Sequence, residues 1–245
     1  MQEKRKISGM ASEQHPINLT HHFLIAMPSM VDATFAKSVI YLCEHTERGA
    51  LGLVINKPSD LKLPSLFAKV DLPLRRQDLC DDPVYDGGPV HTERGFVLHE
   101  QQTAQAITFA DMKAVPLTAH DGSAPVHTRH GANEPVADFE LIDDDVKPSF
   151  YASSLSIPGG LEMTTSKDVL EALSSGAGPR RVLISLGHAS WGEGQLESEL
   201  AENTWLTVGA DVEVIFDTPV EQRYTKALGL LGLQEWMISP TAGRA

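Results

Sequence analysis

A strongly apolar run, Arg181 to Gly187, constrains the fold more than any other stretch of this sequence. It reads RVLISLG, and the glycine-rich acidic segment GHASWGEGQLESELAENTWL follows it over residues 187–206. A short apolar run that leads into glycines and then into an amphipathic segment predicts a buried strand, a glycine loop and a helix. We therefore expect the rest of the chain to be organised around a strand-loop-helix unit at this position.

A phosphate-binding loop is the first function that this unit suggests. Gly187 and Gly192 have the spacing of a Walker motif. Such a motif continues with Lys and then Ser or Thr, but here Glu193 and Gly194 follow. A carboxylate at that point repels phosphate, so the sequence argues against a phosphate cradle.

A nucleophilic serine is the second possibility, because Ser190 lies in H-A-S-W-G, close to the G-x-S-x-G elbow of hydrolases. His188 stands where the elbow needs a small residue, and no histidine follows it in the chain to act as a general base. Ser190 and Glu193 also form the S-x-x-E pattern of a helix capping box. We therefore predict that Ser190 caps the helix.

The acidic and aromatic side chains of the segment allow a structural and a functional interpretation. Glu193 and Glu197 share a helix face, away from the apolar stripe of Leu196 and Leu200, which predicts a solvated acidic face and not an acid–base pair. Tryptophans, here Trp191 and Trp205, are common both in cores and at interaction hot spots.

Charge and composition exclude several classes of function. The net charge of -13 disfavours direct nucleic-acid binding, which needs a basic surface, and the one basic cluster is Lys4–Lys6. Cys43 and Cys80 form no C-x-x-C pair, and no apolar run has the length of a membrane span. The basic N-terminus lacks the apolar core of a secretory signal, and Met10 is a second candidate start. We expect a cytoplasmic protein without a membrane segment.

The rest of the chain predicts one domain over residues 19–240, between tails at 1–18 and 241–245. Residues 101–149 are predicted to be an irregular insertion. Its three histidines, His120, His127 and His130, invite a metal interpretation, but a polar loop would hold the metal poorly, so we expect no metal and no cofactor. Strands are predicted at 23–27, 38–45, 50–55, 95–99, 151–157 and 212–216, and helices at 63–70, at 164–173 and from a Thr218 cap onward.

Gly87, Gly88 and Pro89 form a second glycine feature. Two glycines before a proline predict a fixed turn, and they also permit close approach of the backbone to a ligand. The structural turn is the simpler interpretation.

With these motifs in view, the sequence resembles the AlgH/YqgE family of bacterial proteins. The resemblance implies an α+β fold in a single compact domain, with a mixed sheet bent toward a pseudo-barrel and helices around it. It implies no catalytic residues, although some members are labelled as transcriptional regulators. Its glycine loop reads G-Y-A-G-W-G, so a glycine stands where this chain has Ser190. The segments that carry the resemblance are 19–30, 38–58, 84–100, 161–173, 187–206 and 217–232.

The leading functional hypothesis is a cytoplasmic binding or regulatory protein without catalysis, which acts through a protein partner or a small ligand. Its motivation is a glycine- and tryptophan-marked segment that lacks a complete catalytic constellation. A metal-dependent or small-molecule hydrolase that uses His188 and Glu193 is the first alternative, and a direct DNA-binding regulator is the second. The predicted partner surface comprises Gly87, Gly88, Pro89, His188, Trp191, Gly192, Gly194, Gln195 and Glu197.

Overall fold

The computed structural model describes residues 17–102 and 149–238. The predicted tails, except residues 17 and 18, lie outside these ranges, as do residues 239 and 240 and nearly all of the predicted insertion with its three histidines. No helix in the described ranges has both the length and the hydropathy needed to span a bilayer. The described strands are β1 His22–Ala26, β2 Val39–Thr46, β3 Gly49–Val54, β4 Pro58–Lys62, β5 Pro83–Asp86, β6 Val90–Glu100, β7 Ser154–Ile157, β8 Leu161–Thr164, β9 Val182–Gly192 and β10 Trp205–Gly209. The described helices are α1 Leu63–Lys69, α2 Lys167–Ser174, α3 Gln195–Ala201, α4 Val212–Phe216 and α5 Val220–Leu230, with 3₁₀ turns at Gln77–Leu79 and Glu235–Met237.

The described strands form one mixed sheet. Its order is β10-β1-β2-β3-β9-β6-β8-β7, and β5 pairs with β9 on one side and with β4 on the other. All of these pairs are antiparallel except the parallel pair of β5 and β9. A curled mixed sheet with flanking helices confirms the predicted α+β fold class.

Strand β9 is the centre of the sheet, as the apolar run at 181–187 predicts. It pairs with β6 along one edge, and its other edge is shared between β5 and β3. The change of partner falls beside Gly187, whose φ is 73°. A Cβ there would lie 2.4 Å from the carbonyl oxygen of Gly88, so this position requires glycine.

The turn at residues 87–89 explains that close contact. The N–H of Gly87 donates to the Leu186 carbonyl, and the Gly87 carbonyl accepts from the N–H of Val54, both at 2.9 Å. A Cβ on Gly88 would lie 2.3 Å from the His188 carbonyl carbon. The close backbone approach that two glycines permit is therefore made to β9 itself.

Three apolar clusters cover the sheet. One lies between the sheet and helices α4 and α5, and includes Ile215 and Leu228. A second lies under α3 and includes Trp191, Leu196 and Trp205. The third is formed with α1 and α2. The second cluster places both tryptophans of the 187–206 segment beneath one helix.

The predicted glycine loop and capping box are wrong. Strand β9 continues through Ser190, which pairs with Leu51 of β3, and ends at Gly192. Helix α3 begins at Gln195, with Gly194 at its N-cap in the left-handed conformation and no side-chain cap. Pairing with β3 keeps the chain extended past the S-x-x-E pattern, so a long-range interaction overrides a local one.

Two further predictions near the C-terminus are wrong. Residues 212–216 form helix α4 and not a strand, because the Asp211 carboxylate caps it by accepting from the N–H of Glu213. Thr218 does not cap α5: Pro219 is the N-cap, and the Thr218 hydroxyl donates to the Glu213 carbonyl. The predicted strands at 38–45 and 50–55 and the predicted helix at 63–70 are confirmed as β2, β3 and α1. Strands β2 and β3 pair as an antiparallel hairpin, and the free thiol of Cys43 is buried.

Candidate functional site

A cleft of about 500 Å³ opens beside α3. One wall is formed by the end of β9, by α3 and by the start of β10, and the other by the loop that follows β1. We call it the Trp191–Trp205 cleft, after the two indoles in its floor. Its lining residues are Met30, Asp32, Phe35, Pro89, Ser190, Trp191, Gln195, Glu199, Thr204 and Trp205.

The carboxylate of Glu199 joins the two indoles. Trp191 Nε1 and Trp205 Nε1 both donate to Glu199 Oε2, at 2.9 and 2.7 Å. The rings meet edge to face, with centroids 6.1 Å apart. Both tryptophans are about 95% buried, with 6% and 5% of their surface exposed. Burial with both N–H groups satisfied makes this part of the cleft rigid.

Gln195 completes the network. Its Nε2 donates to Glu199 Oε1 at 3.0 Å, and its Oε1 accepts from the N–H of Gly192 at 3.1 Å. An ionised carboxylate offers about four lone-pair positions, and these three donors leave one of them available. Among the residues that the structure describes, no lysine, arginine or histidine forms an ion pair with Glu199. Within the described ranges, the donors that contact the Glu199 carboxylate are all neutral.

The loop of the opposite wall is also fixed. The Asp32 carboxylate accepts from the N–H groups of Thr34 and Phe35, at 2.8 and 2.9 Å. The Lys57 ammonium donates to the Thr34 carbonyl, and burial lowers the pKa of this lysine. The Phe35 ring lies edge-on to Trp205, with centroids 5.7 Å apart. These contacts bring an aromatic ring and a second carboxylate to the cleft.

A buried histidine supports α3 from below. His45 Nδ1 accepts from the N–H of Leu19 at 3.0 Å, which leaves the proton on Nε2, and Nε2 donates to Glu197 at 2.8 Å. Because both ring nitrogens are engaged, His45 is not available as a general base. The pair fixes α3 and the chain entering β1 to strand β2.

His188 lies where the turn at residues 87–89 contacts strand β9, a contact that we call the glycine crossing. Its ring stacks on His91, with centroids 5.6 Å apart, and packs against Phe96 at 4.9 Å. Burial lowers the pKa of His188, and the nearby His91 and Arg94 lower it further. In the described ranges no hydrogen bond joins it to Glu193, and Nδ1 has no protein partner.

A third histidine, His99, is fully buried at the pairing of β6 with β8. Its Nδ1 donates to the Glu100 carbonyl, and the ring meets Tyr151 edge to face. Burial lowers the pKa of His99, although Glu162, its cross-strand neighbour, and Asp168 oppose the shift.

The structure divides the predicted partner surface into three groups. Pro89, Trp191 and Gln195 line the cleft. Gly192, Gly194 and Glu197 are exposed beside it on the α3 turn. Gly87, Gly88 and His188 lie at the glycine crossing, where Gly87 and His188 are buried. Whether these nine residues form one partner surface stays a prediction.

The predicted partner surface contains three of the ten residues that line the cleft. Glu199 is not among the predicted site residues, yet its carboxylate is half-buried and accepts from both indole N–H groups. Met30, Asp32 and Phe35 come from a loop more than 150 residues away from α3 in the sequence. Trp205 was a sequence signal for the cleft, because Trp191 and Trp205 lie near the two ends of the 187–206 segment. In the described ranges, no group of three His, Cys, Asp or Glu side chains is placed to hold a metal.

Comparison with known proteins shows extensive similarity. A family model described as AlgH-like matches residues 23–236. A UPF0301 protein of Paracidovorax citrulli is 62% identical over 236 residues, which is 96% of this chain and 100% of that protein. A UPF0301 protein of Delftia acidovorans is 60% identical with the same coverage.

Solved structures agree with this result. The solution structure of the AlgH protein from Pseudomonas aeruginosa is similar with a TM-score of 0.61 and 38% identity, over 96% of this chain and 100% of that chain. A crystal structure of a protein from Corynebacterium diphtheriae has a TM-score of 0.54 at 19% identity, over 89% of each chain, and shares the fold alone.

Proposed function

The chain belongs to the AlgH-like family, and from that starting point we propose that it is a non-catalytic cytoplasmic protein that binds a partner through the Trp191–Trp205 cleft. No biochemical function is established for the relatives that it matches. The proposal therefore depends on the site and not on the family. It includes indirect regulation, in which the bound partner, and not this chain, contacts nucleic acid.

One observation carries the proposal: the Glu199 carboxylate holds both indole N–H groups at a cleft of about 500 Å³. This volume lies in the range of ligand sites, and tryptophans are among the commonest anchors of interfaces. Because the polar groups are already fixed by each other, a partner would bind without the entropic cost of ordering them.

The contacts give less support to the hydrolase alternative. A general base needs a nitrogen or oxygen within hydrogen-bond reach of the group that it deprotonates. In the described ranges, His188 is stacked on His91, and both nitrogens of His45 are engaged. Ser190, in the paired part of β9, has no histidine hydrogen-bonded to it there. We therefore favour binding over catalysis.

The net charge of -13 supports a protein partner over DNA. Nucleic-acid affinity depends on neutralising phosphates with basic side chains, and the cleft presents Asp32 and Glu199 instead. An acidic cleft repels the phosphate backbone.

Quantitative affinity capture from the native cytoplasm tests the proposal. The bait proteins are the natural chain, a Phe35→Ala variant that removes one cleft wall, and a Glu202→Gln variant that changes an exposed carboxylate at the end of α3. Near-ultraviolet circular dichroism establishes that all three are folded. We expect the same partner with the natural chain and with Glu202→Gln, and at least a tenfold reduction with Phe35→Ala.

Equal capture by all three baits would contradict the cleft as the binding site. A hydrolytic activity that co-purifies with the chain and disappears in a folded His188→Ala variant would contradict the non-catalytic part of the proposal.

A further inference from the structure

The ligand chemistry of the cleft follows from its charges and rings. We propose that the Trp191–Trp205 cleft receives a basic side chain of a partner polypeptide, with arginine preferred over lysine. This inference rests on the proposed binding function and specifies what is bound.

Charge is the first argument. Glu199 is contacted by three neutral donors and keeps an available lone-pair position, and no described basic side chain forms an ion pair with it. Asp32 adds a second carboxylate on the facing wall. The Lys57 ammonium that lies near this loop is bound to backbone carbonyls and offsets only part of the charge. Among the described residues, a cation is the group that the cleft lacks.

The aromatic rings are the second argument. Two indoles and the Phe35 ring line the same space as the carboxylates. Aromatic faces together with a carboxylate attract an organic cation, and they disfavour a small hydrated metal ion, which prefers several oxygen ligands. The planar guanidinium stacks on rings and also donates several hydrogen bonds, whereas an ammonium is a compact and strongly hydrated charge. This difference predicts the preference for arginine.

The rim of the cleft is the third argument, and it favours a polypeptide over a free metabolite. Asp32, Pro89, Ser190 and Gln195 are exposed at its edge, so the cleft is open to solvent on that side. A chain that passes across an open rim can insert one side chain while its backbone stays outside. The charge of -13 adds long-range attraction for a basic segment.

Nuclear magnetic resonance provides a direct readout, because the chain has three tryptophans and each indole N–H gives one signal. Trp191 and Trp205 report on the cleft, and Trp236, which is 76% exposed in a 3₁₀ turn near the C-terminus, serves as an internal reference. The probes are the capped tripeptides Gly-Arg-Gly, Gly-Lys-Gly and Gly-citrulline-Gly. Citrulline replaces the guanidinium by a neutral urea of nearly the same shape.

We expect Gly-Arg-Gly to shift both cleft indole signals with a millimolar Kd and to leave Trp236 unchanged. Gly-Lys-Gly should bind about threefold more weakly, and Gly-citrulline-Gly at least tenfold more weakly. A Glu199→Gln variant should bring the arginine and citrulline peptides to within twofold of each other. If that variant fails to fold, Asp32→Asn takes its place. In Asp32→Asn the ratio of the citrulline-peptide Kd to the arginine-peptide Kd should fall at least threefold.

Three results would overturn the inference. Equal binding of the arginine and citrulline peptides would show that the charge is irrelevant. Free butylguanidinium that binds as tightly as the arginine peptide would assign the cleft to a small organic cation. If no probe shifts either cleft indole signal, the proposal of a basic ligand is contradicted. None of these results changes the outcome of the capture experiment with Phe35→Ala, so the binding function and the ligand class fail separately.

Discussion

Trp191 and Trp205, at the end of one strand and the start of another, donate their indole N–H groups to the same oxygen of Glu199. The shared acceptor ties β9 and β10, which do not pair with each other in the sheet, to helix α3. Helix α3, which is rich in acidic residues, is therefore attached to two buried tryptophans.

The first prediction concerns the stability that this carboxylate provides. Glu199→Gln keeps the side-chain shape but removes the charge that strengthens both indole bonds. We expect the free energy of unfolding to fall by about 1–3 kcal/mol. Urea unfolding followed by tryptophan fluorescence measures it. The control Glu202→Gln should stay within about 0.5 kcal/mol of the natural chain. Equal effects of the two changes would contradict a stabilising role of the Glu199 carboxylate.

The second prediction distinguishes the contributions of His45 and Glu197, which are hydrogen-bonded to each other. His45→Ala leaves the N–H of Leu19 without its buried acceptor and should destabilise the fold by about 2–3 kcal/mol. Glu197→Gln should cost less than about 1 kcal/mol, because the Glu197 side chain is 48% exposed. Hydrogen exchange of the Leu19 amide should accelerate strongly in the first variant and little in the second. A larger loss of stability in Glu197→Gln than in His45→Ala would mean that the charge of Glu197, and not the buried acceptor for the Leu19 N–H, stabilises this contact.

The third prediction concerns the glycine crossing. In Gly88→Ala the new Cβ would meet the His188 backbone at 2.3 Å, and φ at this position is 148°. Backbone cannot move aside as a flexible side chain can, so we expect a loss of more than about 3 kcal/mol or failure to fold. Gly209→Ala, where no atom lies within 4 Å of the added carbon, is the matched control. Thermal unfolding compares the two, and a Gly88→Ala protein as stable as the control would contradict the described crossing.

The fourth prediction is a pH dependence of stability. Burial lowers the pKa of His99 from its ordinary value of 6.5, so the unfolded chain binds a proton more readily than the folded chain. The stabilisation is therefore complete above about pH 6.5 and is lost as the pH falls below that value. His99→Asn retains a donor for the Glu100 carbonyl but does not titrate.

Urea unfolding between pH 7.5 and 5.5 is the measurement. The natural chain should lose stability more steeply with acidification than His99→Asn, by up to about 1.4 kcal/mol per pH unit. Some dependence should remain in the variant, because burial also lowers the pKa of His188 and of His21. Parallel curves for the two proteins would show that His99 does not contribute.

Local patterns predicted the elements whose stabilising contacts are local or strongly apolar. The β2–β3 hairpin has its glycine turn in the sequence, and the run at 181–187 is apolar enough to indicate a buried central strand. The polar strand β4 and the strands β5, β8 and β10 were not predicted. Trp205 and Leu206 end the segment that was predicted to finish as a helix, but in the structure they pair with Ala26 and Ile25 in strand β10.

Residues 212–216 show why short apolar runs mislead. V-E-V-I-F fits a buried strand and a buried helical turn equally well. The helix forms because Asp211 caps it, while Val214 and Ile215 still reach the core. Asp is a favoured N-cap residue, so the sequence contains a signal for this helix that the strand prediction did not use.

The candidate site was predictable only in part. A glycine- and tryptophan-marked segment was enough to select Trp191 and Gln195 from within it. No sequence pattern indicates that Asp32 and Phe35 face them, because that contact depends on β1 pairing with both β2 and β10. The Trp191–Trp205 cleft is therefore assembled by topology and not by a motif.

The position of β1 has a consequence for how the chain is made. During synthesis, β1 emerges early and pairs with β2, but its other edge has no partner until β10 leaves the ribosome. An open strand edge is a template for association with other chains. Fragments that stop before β10 should therefore aggregate, and the full chain should depend on protection of that edge while translation is under way.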